Sequence, residues 1–271
     1  MYVSDRLVFV ELQKTGSSHV VRLLKGTVAG KIVGKHNTPP RRLLNSSRKF
    51  IGSIRDPWEW YVSLWAYGCD KRGGLYDEVT RADSAIRTAR DWILSPVYSA
   101  SLLYSRISRS PELWRRCYAD PDDPKAFRDW LRMVHDGRHW HDVGESYGRY
   151  PMSRVAGLLT YRYLKLYCRN GFKSIGSLEG LRDYEERNCY VDYFIRNEDL
   201  EGGFAAALRH AGIPLSDEQR SRVDSAGRTN ASSRKHPAAF YYDDETARIV
   251  GRRERLIIDK FGYKPPSLGL P

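Results

Sequence analysis

The hydrophobic pattern changes its period close to the N-terminus. Leu7 to Val10 form an apolar run typical of a buried strand, and a polar segment follows from Gln13 to Ser18. Beyond this segment, apolar side chains return with helical spacing at Val20, Val21, Leu23 and Leu24. The pattern predicts a strand, a loop and the beginning of a helix.

Strand-like and helix-like segments continue to alternate along the chain. Further strands are predicted at Lys31 to Gly34, Phe50 to Ile54 and Asp192 to Ile195. Helices are predicted at Ser84 to Leu94, Pro124 to Val134, Ala156 to Tyr167, Glu201 to Ala211 and Tyr241 to Phe261. Another helix is predicted to begin at Pro57, with Asp56 as its cap. The alternation predicts a single α/β domain over residues 1–271.

The loop from Gln13 to Ser18 has the composition of an anion-binding turn. The first N–H groups of a helix have no intrahelical acceptor and lie at the positive end of the helix dipole, which favours an anion. Gly16 allows close backbone approach, Ser17 and Ser18 supply hydroxyls, and Lys14 supplies a positive charge. Because its single glycine follows the lysine, the loop does not match the Walker A motif of nucleoside triphosphatases.

Charge and composition narrow the class of protein. The formal charge of +12 favours a polyanionic ligand, but the arginines are spread along the chain without a nucleic-acid-binding motif, so nucleic acid is not expected as a partner. No apolar run is long enough to cross a membrane, and no signal peptide is visible, which makes a cytoplasmic location the expectation. The four cysteines form no C-x-x-C pair, so buried free thiols are expected rather than a disulfide framework.

Three further candidate residues lie at or beyond the ends of predicted strands. Arg55 follows one strand directly, Ser63 lies eight residues later, and His36 follows another strand. Ligands of open parallel sheets collect at the carboxyl ends of the strands, which gives these side chains a possible functional position. Structural roles also fit: a salt bridge of Arg55 with Asp56 or Glu59, a helix-face serine, and a histidine bonded to a carbonyl.

Two of these segments together resemble the cofactor-binding signatures of a known family. QKTGSS at Gln13 to Ser18 and IRDPWEWYVS at Ile54 to Ser63 resemble the signatures of sulfotransferases that use 3′-phosphoadenosine-5′-phosphosulfate. In that family the loop holds the 5′-phosphosulfate, and an arginine and a serine eight residues later hold the 3′-phosphate. Segments Tyr193 to Ile213, Asn230 to Arg234 and Tyr241 to Tyr263 are similar to late segments of bacterial and carbohydrate-type sulfotransferases.

The resemblance implies a fold, a reaction and a set of residues. The implied fold is a three-layer sandwich with a central parallel sheet, the P-loop-like sulfotransferase fold. The implied reaction moves a sulfuryl group from 3′-phosphoadenosine-5′-phosphosulfate to an acceptor hydroxyl, with no bound metal. The implied cofactor-binding residues are Lys14, Thr15, Gly16, Ser17, Ser18, Arg55, Ser63, Asn230, Ser232 and Arg234.

Lys14 and His36 are the expected catalytic residues. Lys14 is expected to neutralise the leaving oxygen, and His36 to act as the general base, with Glu11 and His19 as possible substitutes. Glu198 and Asp199 are better explained by a strand-end turn and a helix cap.

The resemblance is weakest from about Gly68 to Gly157. This mainly helical, aromatic region is expected to cover the acceptor, for which a carbohydrate or glycolipid is the first choice, although aromatic rings at helical spacing more often belong to a core. The cluster His135, His139, His141 and Asp142 lacks a specific metal-binding pattern and is expected in an acceptor loop or on the surface.

Two other classes of function remain open from the sequence. A P-loop-like kinase or nucleotide phosphotransferase would also use a strand, loop and helix to bind phosphate, but it would need the missing glycine frame. A noncatalytic basic protein would bind polyanions through its charge alone.

Overall fold

A mixed five-stranded sheet lies at the centre of the protein. The computed structural model describes residues 1–81, 110–226 and 234–268. In these ranges the strands are β1 (Tyr2–Ser4), β2 (Leu7–Phe9), β3 (Gly30–Ile32), β4 (Lys49–Ile54) and β5 (Tyr193–Arg196). Their order in the sheet is β3-β1-β2-β4-β5.

The prediction of a central parallel sheet holds for only part of the sheet, which is mixed. β2, β4 and β5 are parallel, whereas β1 pairs antiparallel with both β2 and β3. Only Asp5 and Arg6 join β1 to β2, and so short a connection permits antiparallel but not parallel pairing. The α/β class is confirmed, and the parallel part of the sheet is the part that leads into the candidate site.

Helices cover both faces of the sheet. They are α1 (Ser17–Thr27), α2 (Arg41–Leu44), α3 (Pro57–Cys69), α4 (Gly74–Thr80), α5 (Pro111–Cys117), α6 (Pro124–His135), α7 (Met152–Val155), α8 (Leu158–Tyr167), α9 (Leu178–Asn188), α10 (Leu200–His210), α11 (Asp217–Asp224), α12 (Ala238–Tyr241), α13 (Asp244–Arg253) and α14 (Arg255–Phe261). The helix predicted at Ser84 to Leu94 lies outside the described residues. Across the described ranges, no helix is both long and apolar enough to span a bilayer.

Two apolar clusters follow from the alternation of side chains along the strands. Val8 and Phe50 belong to one cluster, with α3 and α8, and Phe9 and Ile51 belong to the other, with α1 and α10. Of the described tryptophans in the middle region, Trp114 and Trp130 are fully buried, and Trp140 is partly buried and packs against the core. The interpretation of these rings as core is confirmed.

The single final helix predicted from Tyr241 to Phe261 is wrong. The segment forms α12, α13 and α14, and Asp243 caps α13 by accepting a bond from the Thr246 amide at 2.8 Å. Glu254 interrupts the helix because its buried carboxylate turns inward to the N-terminus of α8. It accepts bonds from the Thr160 amide at 2.8 Å and from the Tyr61 hydroxyl at 2.5 Å.

Candidate functional site

The loop Gln13 to Ser18, called the anion loop below, connects β2 to α1. Lys14 and Gly16 both have left-handed backbone conformations, with φ of 62° and 77°. His19 and Val20 donate their amides to the Gly16 carbonyl, so α1 begins directly after Gly16. The Ser17 and Ser18 amides, in the first turn, have no acceptor within the helix. The predicted loop and helix start are confirmed.

Gly16 also fills a position where no side chain fits. A Cβ atom there would lie 2.7 Å from Asn197 Nδ2 and 2.8 Å from the Leu200 methyl groups. Positive φ adds a backbone penalty for any other residue. The glycine therefore sets both the turn and the close packing of the loop on the end of β5.

A cavity of about 590 Å³ opens in front of the anion loop. Of the residues predicted from the sequence, it is lined by Lys14, Gly16, Ser17, Ser18, His36, Arg55, Ser63 and Arg234. Asn230 and Ser232 lie outside the described residues. The described site residues thus come together from positions far apart in the chain, with one exception.

The exception is the side chain of Thr15. Its hydroxyl is buried, donates to the Leu12 carbonyl at 2.8 Å and lies 2.6 Å from Ser53 Oγ. Thr15 is therefore available to a ligand in the cavity only through its backbone.

The side-chain amine of Lys14 is partly desolvated. Its Nζ lies 3.8 Å from the centre of the Tyr67 ring, a cation–π contact. Burial, followed by repulsion from Arg55 and Arg72, lowers the pKa of Lys14 from 10.5 to about 8. A bound anion would stabilise the ammonium form of Lys14, which burial and the neighbouring cations destabilise.

Arg55 and Arg234 meet at one carboxylate. Arg55 donates to Glu59 Oε2 at 2.9 Å and Arg234 donates to the same oxygen at 2.5 Å. The predicted salt bridge of Arg55 is therefore present. Arg55 Nε and Arg234 Nη1 are nonetheless buried without a hydrogen-bond partner among the described residues. Both arginines line the cavity, and each keeps one buried donor atom that is unsatisfied among the described residues.

Ser63 lies on the same wall as this arginine pair. It is 4% exposed and belongs to α3, two helical turns after Arg55. Asp56 caps this helix by accepting the Glu59 amide at 3.0 Å, and Pro57 occupies its first position, as predicted.

His36 also lines the cavity. It has positive φ, and its Nδ1 lies 2.9 Å from the Glu11 carbonyl oxygen. A carbonyl can only accept, so Nδ1 carries the proton of the neutral ring and Nε2 keeps a free electron pair. Burial lowers the pKa of His36 below 6.5, which keeps the ring neutral at pH 7.

The two alternative bases are engaged in other contacts. The Glu11 carboxylate is buried and lies 3.1 Å from the N-terminal amine of Met1. His19 lines the cavity, but its Nε2 lies 3.1 Å from a carboxylate oxygen of Glu201. His36 is therefore the best-placed of the three.

The wall next to His36 includes an ion pair that the sequence did not reveal. Arg162 Nη2 lies 2.8 Å from Glu145 Oε1, and Lys165 Nζ lies 2.9 Å from Glu145 Oε2. Burial alone would raise the pKa of Glu145, but these two cations outweigh it and lower that pKa to about 2. The exposed cations Lys35 and Arg72 also line the cavity.

The acidic and histidine residues outside the cavity have structural roles. Asp199 caps α10 through the Gly202 amide, and Glu198 accepts the Asp56 amide at 2.8 Å, as expected. The expectation of a surface position is wrong for Asp142, which is 3% exposed and accepts a bond from Trp114 Nε1 at 3.1 Å. Asp142 also lies 3.2 Å from His139 Nδ1.

Comparisons of the chain with protein-family models, curated proteins and solved structures found no match. Function is therefore inferred from the residues that line the cavity and from their geometry.

Proposed function

We propose that the protein is a sulfotransferase. It moves a sulfuryl group from 3′-phosphoadenosine-5′-phosphosulfate to an acceptor hydroxyl and releases adenosine 3′,5′-bisphosphate. One observation carries the proposal: the anion loop and Lys14, the arginine pair Arg55 and Arg234 with Ser63, and the neutral His36 all line one cavity.

The cavity offers two separate places for anions, which suits a nucleotide with phosphates at both its 5′ and 3′ ends. The Ser17 and Ser18 amides and Lys14 supply one place, at the N-terminus of α1. The guanidinium side chains of Arg55 and Arg234, which both line the cavity, supply the other. We also propose that the fold is the P-loop-like sulfotransferase fold. Arg55 and Ser63 bind the 3′-phosphate in this proposal.

In the proposed reaction, the bond from sulfur to the bridging phosphate oxygen breaks as the bond from sulfur to the acceptor oxygen forms. Lys14 neutralises the charge that grows on the departing phosphate oxygen. His36 Nε2 accepts the acceptor proton, while the Glu11 carbonyl holds the ring through Nδ1. A carbohydrate or glycolipid is the proposed acceptor, since the cavity wall combines Tyr67 and Tyr76 with polar side chains.

The position of Thr15 weighs against a phosphotransferase. In P-loop kinases, the hydroxyl directly after the loop lysine binds magnesium. Here that hydroxyl is buried and engaged by Leu12 and Ser53. A noncatalytic polyanion-binding protein would have no need of two separate anion places in one cavity.

The proposal is tested by calorimetric titration with adenosine 3′,5′-bisphosphate and, separately, with ATP and magnesium. The bisphosphate should bind, and Arg55→Met should weaken binding about ten- to hundredfold, the scale of a lost charged hydrogen bond. Arg248→Met is the matched control, because Arg248 is exposed and lies on α13.

Three results would contradict the proposal. They are no binding of the bisphosphate, tight binding of magnesium-ATP in its place, or equal losses in the Arg55→Met and Arg248→Met variants. Transfer itself is measured by incubating the protein with radiolabelled donor and a panel of hydroxylated acceptors, followed by product mass. A protein that binds the bisphosphate but labels no acceptor in the panel would be a binding protein.

A further inference from the structure

Cys168 and Cys189 lie opposite each other in a short antiparallel bridge at the C-terminal end of α8. Cys168 follows the last residue of α8, and Cys189 follows the last residue of α9. Two main-chain bonds flank the pair, from the Arg169 amide to the Asn188 carbonyl at 3.1 Å and from the Tyr190 amide to the Tyr167 carbonyl at 3.0 Å. This pattern defines a non-hydrogen-bonded antiparallel pair.

Such pairs bring two side chains unusually close. Their Cα atoms lie about 4.5 Å apart, which falls within the range of about 4.4 to 6.8 Å that disulfides span. The two Sγ atoms and a carboxylate oxygen of Glu185 lie within 4.8 Å of one another. A bond between the two sulfurs therefore needs no rearrangement of the backbone. Both thiols are free in the structure.

The two thiols have different surroundings. Cys189 is partly exposed, and a hydrogen bond from the Cys168 thiol lowers the pKa of Cys189 against the opposing effect of burial. Tyr163 Oη lies 3.7 Å from Cys189 Sγ. Cys168 is buried, and the same thiol–thiol hydrogen bond, together with burial, raises its pKa. Cys189 is thus the accessible nucleophile and Cys168 the enclosed partner.

We propose that Cys168 and Cys189 form a reversible intrachain disulfide when the protein meets a low-molecular-weight disulfide such as oxidised glutathione. The Cys189 thiolate attacks one sulfur of the oxidant and releases one glutathione thiolate. Cys168 then loses its proton and attacks Cys189 Sγ in the mixed disulfide, which releases the second glutathione. The two cysteines are oxidised together by two electrons, and the oxidant is reduced to two thiols.

The surroundings of Glu185 favour this chemistry over a bound metal. Glu185 Oε1 accepts a bond from the Tyr163 hydroxyl at 2.7 Å, and the ammonium of Lys260 lies 3.0 and 3.1 Å from the two carboxylate oxygens. Both oxygens therefore have donors, and a positive charge already occupies the position beside them. A divalent cation would have to displace Lys260.

The test uses a full-length Cys69→Ser/Cys117→Ser variant, in which Cys168 and Cys189 are the only cysteines. The folded protein is equilibrated with oxidised glutathione, acidified, unfolded and treated with a maleimide. The number of alkylated thiols should fall from two to none, and the protein should lose the mass of two hydrogen atoms. Peptide mapping without reductant should join the peptides that contain the two cysteines, and dithiothreitol should restore both thiols.

Two comparisons keep the result interpretable. Adding Cys168→Ser should convert the product into a stable glutathione adduct on Cys189, because the resolving thiol is gone. The wild-type chain should show the same joined peptides by mapping, which removes any dependence on how the variants fold. Persistent alkylation of both thiols, a glutathione adduct without crosslinking when both cysteines are present, or protection of the thiols by a metal that a chelator removes would each overturn the proposal.

Discussion

Lys14 provides a direct way to test the charge of the anion loop. Burial, Arg55 and Arg72 lower the pKa of Lys14 to about 8. The second pKa of a phosphate is near 6, so the phosphate is already fully ionised in the pH range where Lys14 titrates. A phosphate bound next to Nζ favours the ammonium and raises this pKa. The affinity for adenosine 3′,5′-bisphosphate should therefore be nearly constant below about pH 7, be about half of that value at pH 8 and fall further as the pH rises.

The size of the effect follows from the pKa of the free protein. With a pKa of about 8, Lys14 is about nine-tenths protonated at pH 7 and about one-tenth protonated at pH 9. If the complex keeps the proton up to the usual lysine pKa of 10.5, affinity falls about tenfold between these two pH values, equivalent to about 1.4 kcal/mol.

Calorimetry at half-unit intervals from pH 7 to 9.5 measures the pH dependence of the affinity for adenosine 3′,5′-bisphosphate. Lys14→Arg should bind with an affinity that does not change over this range, because a guanidinium stays protonated. Lys35→Met, which removes another cation from the same cavity, should still show the fall above pH 8. A wild-type affinity that is flat to pH 9.5, or a Lys14→Arg variant with the same fall as the wild type, would refute the placement of Lys14 beside the phosphate.

Three further predictions follow from other parts of the structure. His36→Ala should reduce transfer about a hundredfold or more while leaving bisphosphate affinity intact, and wild-type kcat/KM should rise with pH through a pKa below 6.5. Gly16→Ala should destabilise the protein by about 1–3 kcal/mol and weaken bisphosphate binding, whereas Gly26→Ala, with nothing near its added Cβ, should stabilise α1 by about 0.5–1 kcal/mol. Glu254→Ala should lower the free energy of unfolding by about 3–5 kcal/mol, against less than about 0.5 kcal/mol for the exposed Glu245→Ala.

Each of these has a result that would contradict it. Equal losses of transfer and of bisphosphate affinity in His36→Ala would make the histidine structural. If Gly16→Ala raised the urea midpoint, the left-handed conformation and close packing of Gly16 would be contradicted. A Glu254→Ala variant as stable as Glu245→Ala in the same denaturation experiment would show that the bonds to the start of α8 contribute little.

The local parts of the site could be predicted from the sequence because they depend on neighbouring residues. A glycine two residues after a lysine, between an apolar run and a helical pattern, identifies the anion loop, and Asp56 with Pro57 identifies the start of α3. The function of Thr15 was not readable in the same way. Its side chain points away from the cavity because Ser53, on a neighbouring strand, provides a buried partner.

Long-range pairings escaped the sequence analysis for a physical reason. Glu59 binds Arg234 across a separation of 175 residues, and no periodicity reports such a pair. β1 was missed because three residues are too few to show alternation, and with it the antiparallel side of the sheet was missed. The break at Glu254 depends on the tertiary contact with α8, while the apolar pattern continues through it.

The anion loop is held by residues that lie far from it in the chain. Trp60 Nε1 donates to the Gln13 carbonyl at 2.7 Å, and Thr15 Oγ1 lies 2.6 Å from Ser53 Oγ. The left-handed conformation of Lys14 is unfavourable for a free peptide. The loop should therefore acquire its shape only when β4 and α3 are in place. A ligand would then enter and leave past a fixed rim, without the loop opening to release it.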